Sequence, residues 1–140
     1  MNLRALSPQA REPLMELYPW SPRRRLADSQ HMSALVNEHC QACTAATPRV
    51  EGEELEGLLG QLSPEWQIKG GRLHRRLRFP DFVQAFGRAA QLALVAEAEG
   101  HHPDMTVGWG YLEIDLTTHA IGGLSRNDFV LAARFDALDG

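Results

Sequence analysis

Glu97, His101, His102 and His119 are the side chains of this 140-residue chain whose types and spacing best suit proton transfer. An imidazole titrates near pH 6.5, so its donor and acceptor forms coexist near neutrality. A site that both gives and takes protons needs both. Gly100 is placed to end a helix and turn the chain, which would deliver His101 and His102 as a consecutive pair, with Pro103 stiffening the chain after them. Taken singly, each histidine is more often a hydrogen-bonded structural group or an exposed side chain. Three histidines and Glu97 also suggest zinc, but helix-borne zinc pairs are usually three or four residues apart, so the adjacency of His101 and His102 makes metal the weaker reading.

A second cluster, His39, Cys40 and Cys43, carries C-x-x-C spacing, which can be half of a zinc site or a redox pair. No second half exists, because these are the only cysteines. Asp128 stands three residues after Ser125, the spacing of a reciprocal helix cap.

The elements that position these groups are read from apolar periodicity. Leu55, Leu58, Leu59 and Leu62 put one stripe of a helix on a core, ended by Ser63 and Pro64. Two short strands, Trp66 to Lys69 and Arg72 to Arg78, flank Gly70 and Gly71, a pair suited to a two-residue hairpin turn. The run from Asp81 to Glu99 is the longest helix. Phe82, Phe86, Ala90 and Ala93 form one stripe, closed by Glu97 at about 20° from Phe86, a costly place for a carboxylate without a partner. Leu92 and Val95 lie nearly opposite, so a partner subunit, a loop or the N-terminal arm is expected to cover that second side. Strands over Thr106 to Trp109 and Tyr111 to Thr118 meet at Gly110. Leu112, Ile114 and Leu116 alternate there with polar residues, which by parity puts His119 on the side of Glu113 and Asp115. Ser125 caps a last helix carrying Phe129, Val130, Ala133 and Leu138 inward. The order αββαββα makes an α+β two-layer sandwich, a four-stranded antiparallel sheet with three helices on one face.

Residues 51–140 are thus one domain, preceded by an arm over 32–50. Residues 1–31 hold four of the eight prolines and the run Arg23, Arg24, Arg25. They read as a disordered extension, lying upstream of a true start at Met32 or serving as a basic targeting arm. With 14 basic and 18 acidic residues the formal charge is -4, and nothing global invites nucleic acid or anionic membrane. No apolar run nears the roughly 20 residues of a spanning helix, and a cytoplasmic protein is expected.

Glu97-Ala98-Glu99-Gly100-His101-His102-Pro103, then Trp109, Thr117-Thr118-His119 and Gly122-Gly123-Leu124-Ser125 with Asp128, resemble the pterin-4a-carbinolamine dehydratase pattern. The likeness extends upstream through Trp66 and Phe79 to Phe86, covering roughly residues 50–138. It implies that His101 and His119 exchange protons with a 4a-hydroxytetrahydropterin while His102 binds and orients it. Glu97, Pro103 and Asp128 would support the site. Trp66 matches an aromatic position near the pterin, with a core tryptophan as the equal alternative. The resemblance further implies quinonoid dihydropterin as product, no metal or organic cofactor, dimers or tetramers, and recycling of the pterin of an aromatic amino acid hydroxylase. A protein-binding role, toward a hydroxylase or a transcription factor, is the alternative function.

Overall fold

The structure is a computed structural model that describes residues 33–139; the readings made for residues 1–31 and for Met32 lie outside the described residues. Helix α1 spans Gly52–Leu59, strands β1 and β2 span Gln67–Lys69 and Arg72–Arg78, and helix α2 spans Phe82–Glu99. Strands β3 and β4 span Asp104–Gly108 and Tyr111–Leu116, and helix α3 spans Arg126–Asp139. Short 3-10 turns cover Ala34–Asn37 and His119–Ile121. The four strands form one antiparallel sheet in the order β1-β2-β4-β3, and three helices make the second layer of the expected α+β sandwich.

The period of two along β4 decides which face meets the helices. Leu112, Ile114 and Leu116 are buried and join Leu73 of β2 and Phe129, Val130, Leu131 and Phe135 of α3 in the main core. On the other face Asp115 pairs with His74 at 2.9 Å and Glu113 with Arg76 at 2.9 Å, while Arg72 reaches Asp104 at 2.7 Å. Arg76 also lies 4.3 Å over the ring of Tyr111. Cross-strand charge pairs of this kind hold register and keep the face polar.

Helix α2 begins at Asp81, whose side chain accepts from the Gln84 N–H at 2.8 Å. Its orientation reverses the expectation. Leu92 is in the core at 1% exposure, together with Ala85, Ala89 and Ala96, whereas Phe86 is 58% and Leu94 74% exposed. Phe82 and Val83 extend that outer stripe. Three alanines on the inner side let the helix lie close to the sheet, which bulky phenylalanines would prevent.

The arm is part of the fold. Leu35 and Val50 are buried in the main core, and the Val50 N–H donates to Leu124 O at 2.8 Å. Trp66 precedes β1 instead of opening it; it is buried in the core and its indole N–H donates to Asp136 at 2.7 Å. That packing is what the core reading of this residue expects. No helix among the described residues is long and apolar enough to cross a membrane.

Candidate active site

The end of α2 sets the direction of the two adjacent histidines. Gly100 adopts the left-handed conformation (φ 65°), its N–H donates to Glu97 O at 3.3 Å, and the His101 N–H reaches back to Ala96 O at 3.2 Å. These two bonds are those of a Schellman closure, in which glycine meets the left-handed bend without steric cost. The bend turns His101 inward, to 8% exposure, and leaves His102 outside.

His101 meets Asp128, which is fully buried; Nε2 and Oδ1 are 2.6 Å apart. The other oxygen, Oδ2, accepts from the Ser125 N–H at 2.9 Å and from the Thr118 hydroxyl at 2.8 Å. Thr118 has one hydroxyl hydrogen and gives it to Asp128, so at the 2.7 Å contact between the hydroxyls Ser125 is the donor. Asp128 thus caps α3 through the Ser125 N–H and holds an imidazole at once. An ionised carboxylate only accepts, so His101 carries its hydrogen on Nε2 and keeps the Nδ1 lone pair free for other work.

His119 lies one residue beyond Thr118. Strand β4 stops at Leu116, and Thr118, still extended, bridges to Gly123 while His119 opens the 3-10 turn. Burial keeps alternating past the strand, with Leu116 and Thr118 buried and Thr117 and His119 on the accessible side. The side chain of His119 is exposed. Glu97 differs from expectation. Because the Phe86 stripe faces outward, Glu97 at its end is exposed, and it pairs with His102 Nε2 at 2.9 Å. Such an exposed pair adds little stability and serves mainly to orient the imidazole.

Asp128 therefore joins the end of α2, the segment after β4 and the start of α3. Thr118 and Ser125 are the contributors that residue type alone did not mark for a role. Their signal was spacing: Thr118 precedes His119 directly, and Ser125 stands three before Asp128.

The His39, Cys40, Cys43 cluster has another function. His39 Nδ1 lies 3.1 Å from Glu99, the Cys40 N–H donates to Glu99 at 2.9 Å, and Arg134 lies 3.2 Å from the same carboxylate. Burial works against the Glu99 charge, yet these donors and the guanidinium hold its carboxyl below the usual range. Burial, reinforced by the Glu99 charge, pushes the Cys40 thiol up to about 12, which makes it an inert sulfur at neutral pH. Asn127 grips the same segment, accepting from the Gln41 N–H at 2.9 Å and donating to Gln41 O at 2.7 Å. Among the described residues no group of three or more His, Cys, Asp or Glu side chains is placed to hold a metal ion. The cluster straps the arm onto α3 beside Asp128.

Comparisons with known proteins give a family for the chain. A family model described as pterin 4 alpha carbinolamine dehydratase matches residues 48–138. A Rickettsia canadensis protein assigned as pterin-4-alpha-carbinolamine dehydratase is 38% identical over 107 residues, 76% of this chain and 98% of its own. A Rubrobacter xylanophilus protein with the same assignment is 42% identical over 108 residues, 76% of this chain and 100% of its own. A crystal structure from Brucella melitensis, described as a transcriptional coactivator/pterin dehydratase, superposes with a TM-score of 0.61 at 34% identity, covering 66% of this chain and 100% of that one.

Proposed function

Since the chain belongs to the pterin-4a-carbinolamine dehydratase family, a family of hydro-lyases, we propose that it converts a 4a-hydroxytetrahydropterin to quinonoid dihydropterin and water by histidine acid-base catalysis. One observation supports this reading above the others: the buried Asp128 binds both His101 and Thr118, the residue before His119. One imidazole, and the residue next to a second in sequence, are so tied to one carboxylate.

In the proposed reaction a protonated imidazole gives its proton to the 4a-hydroxyl, the C4a–O bond breaks and water leaves. A second group takes the proton from N5, and the C4a=N5 double bond forms. His101 and His119 are the exchanging groups. His102, oriented by Glu97 and preceding Pro103, binds the ring. General acid-base assistance of this kind contributes on the order of 10² to 10⁴ in rate. The physiological role is to return the pterin used by an aromatic amino acid hydroxylase, itself a candidate protein partner, in the cytoplasm; the chemistry calls for no further cofactor.

The protein acts as a homodimer or homotetramer, through the outer stripe of α2. Phe82, Val83, Phe86 and Leu94 form an apolar surface along one helix, of the kind that marks an interaction site. It supersedes the Leu92 and Val95 side, since Leu92 belongs to the core.

Stopped-flow mixing with carbinolamine generated by a hydroxylase tests both parts. The wild type is expected to accelerate water loss over the uncatalysed rate, and a Phe86→Glu, Leu94→Glu variant to sediment as a smaller species. No acceleration by the wild type would remove the enzymatic reading. Retained activity in that smaller species, with loss of the cellular phenotype, would favour the protein-binding reading, which the coactivator description of the Brucella structure also suggests.

A further inference from the structure

We propose that Arg49 is a positioning residue for His119, a clamp reaching from the N-terminal arm onto the turn that carries this imidazole; the inference rests on the catalytic reading of His119 given above. The base of the turn is closed by Thr118 N–H to Gly123 O at 2.8 Å, but the tip that carries His119 has only Ile121 N–H to Thr118 O at 3.2 Å and Gly122 N–H to His119 O at 3.2 Å, the poorer geometry of a 3-10 turn. His119, Ala120 and Gly122 are all exposed, so packing does little to fix it.

The guanidinium of Arg49 meets two successive carbonyls on the outer side of this turn. One Nη donates to Gly122 O at 3.3 Å and the other to Ile121 O. Glu51 lies 3.4 Å from Arg49 Nε and holds the guanidinium from behind. The next residue, Val50, is buried and bonded to Leu124, which anchors the base of the clamp on the far side of the same loop. A planar fork of donors suits two adjacent acceptors in a way a lysine ammonium does not.

The paired glycines carry the imprint of this contact. Gly122 is left-handed (φ 59°), whereas Gly123 is not; a side chain at Gly123 would meet Arg49 itself. The nearest atoms to a Cβ there all belong to the guanidinium end of Arg49, which can swing away. Gly123→Ala should therefore fold while displacing the clamp, and this makes it an independent probe of the same contact.

Arg49→Ala and Gly123→Ala are each expected to lower kcat for carbinolamine dehydration by about 10- to 100-fold, the scale of a misplaced catalytic group, with a smaller change in KM. Because both act through one contact, the double variant should be no slower than the worse single variant. Arg49→Lys, with one point donor in place of the fork, should recover only part of the loss. Amide hydrogen exchange at Ile121 and Gly122 should quicken at least tenfold in Arg49→Ala, a readout that does not depend on turnover. Unchanged exchange, a kcat within twofold of wild type in Arg49→Ala, or losses that multiply in the double variant would each overturn the clamp. Quickened exchange together with full activity in His119→Ala would instead place the failure in the catalytic reading of His119.

Discussion

His101→Ala is expected to lower kcat/KM for carbinolamine dehydration by about 10²- to 10⁴-fold, the range of a lost general acid or base. The expectation comes from the environment of this imidazole and not from residue type alone. His101 is nearly buried, its backbone is fixed by the Schellman closure of α2, and its Nε2 is committed to Asp128 at 2.6 Å. Only Nδ1 remains for substrate, so the ring arrives in one orientation and one tautomer. Alanine also leaves Asp128 Oδ1 buried without its donor, which should cost about 1–3 kcal/mol of folding stability. His119→Ala is the informative companion. Its side chain is exposed, so it should lose activity in the same direction with little change in the urea midpoint. Stopped-flow kinetics and urea unfolding on the two variants separate the terms.

Asp128→Asn should be nearly as damaging to catalysis for a different reason. The oxygen of an asparagine must take the place of Oδ2, where the Ser125 N–H and the Thr118 hydroxyl both donate. Its amide NH₂ then faces His101 Nε2, which has to become the acceptor. The imidazole hydrogen moves to Nδ1, and the nitrogen offered to substrate changes from acceptor to donor. The fold should persist with a loss of about 1–3 kcal/mol, while kcat falls on the order of 10² to 10⁴. Asp128→Ala, which strips all three donors of their acceptor, should cost about 3–5 kcal/mol. Wild-type kcat in Asp128→Asn would show that the tautomer of His101 has no bearing on the reaction.

Much of this architecture was legible in the residues. The strand and helix periods gave the order of elements, and the alternation of Leu112, Ile114 and Leu116 identified the buried face of β4. The spacing of Gly100, His101 and His102 located the turn. What stayed hidden had physical causes. Helix α2 has apolar residues on two sides, and its core side is written mostly in alanines, so the larger phenylalanines drew the stripe to the wrong face. Glu97 was misjudged with it: at the end of an outward stripe it needs no rescue. The arm was one of three expected covers for the long helix, but its ties through Arg49, Glu99 and Asn127 run to backbone groups, whose positions no side-chain pattern reveals.

Three imidazoles acting on one substrate must all respond when it binds, and NMR of the six histidines reads that response. Titration of the wild type, labelled with nitrogen-15 in its imidazoles, with a dihydropterin should move the ring resonances of His101, His102 and His119 together and saturably, leaving that of His74, buried and paired with Asp115 on the sheet, in place. Shifts confined to His39 or His74, or a saturating ligand that leaves His119 unmoved, would contradict the account.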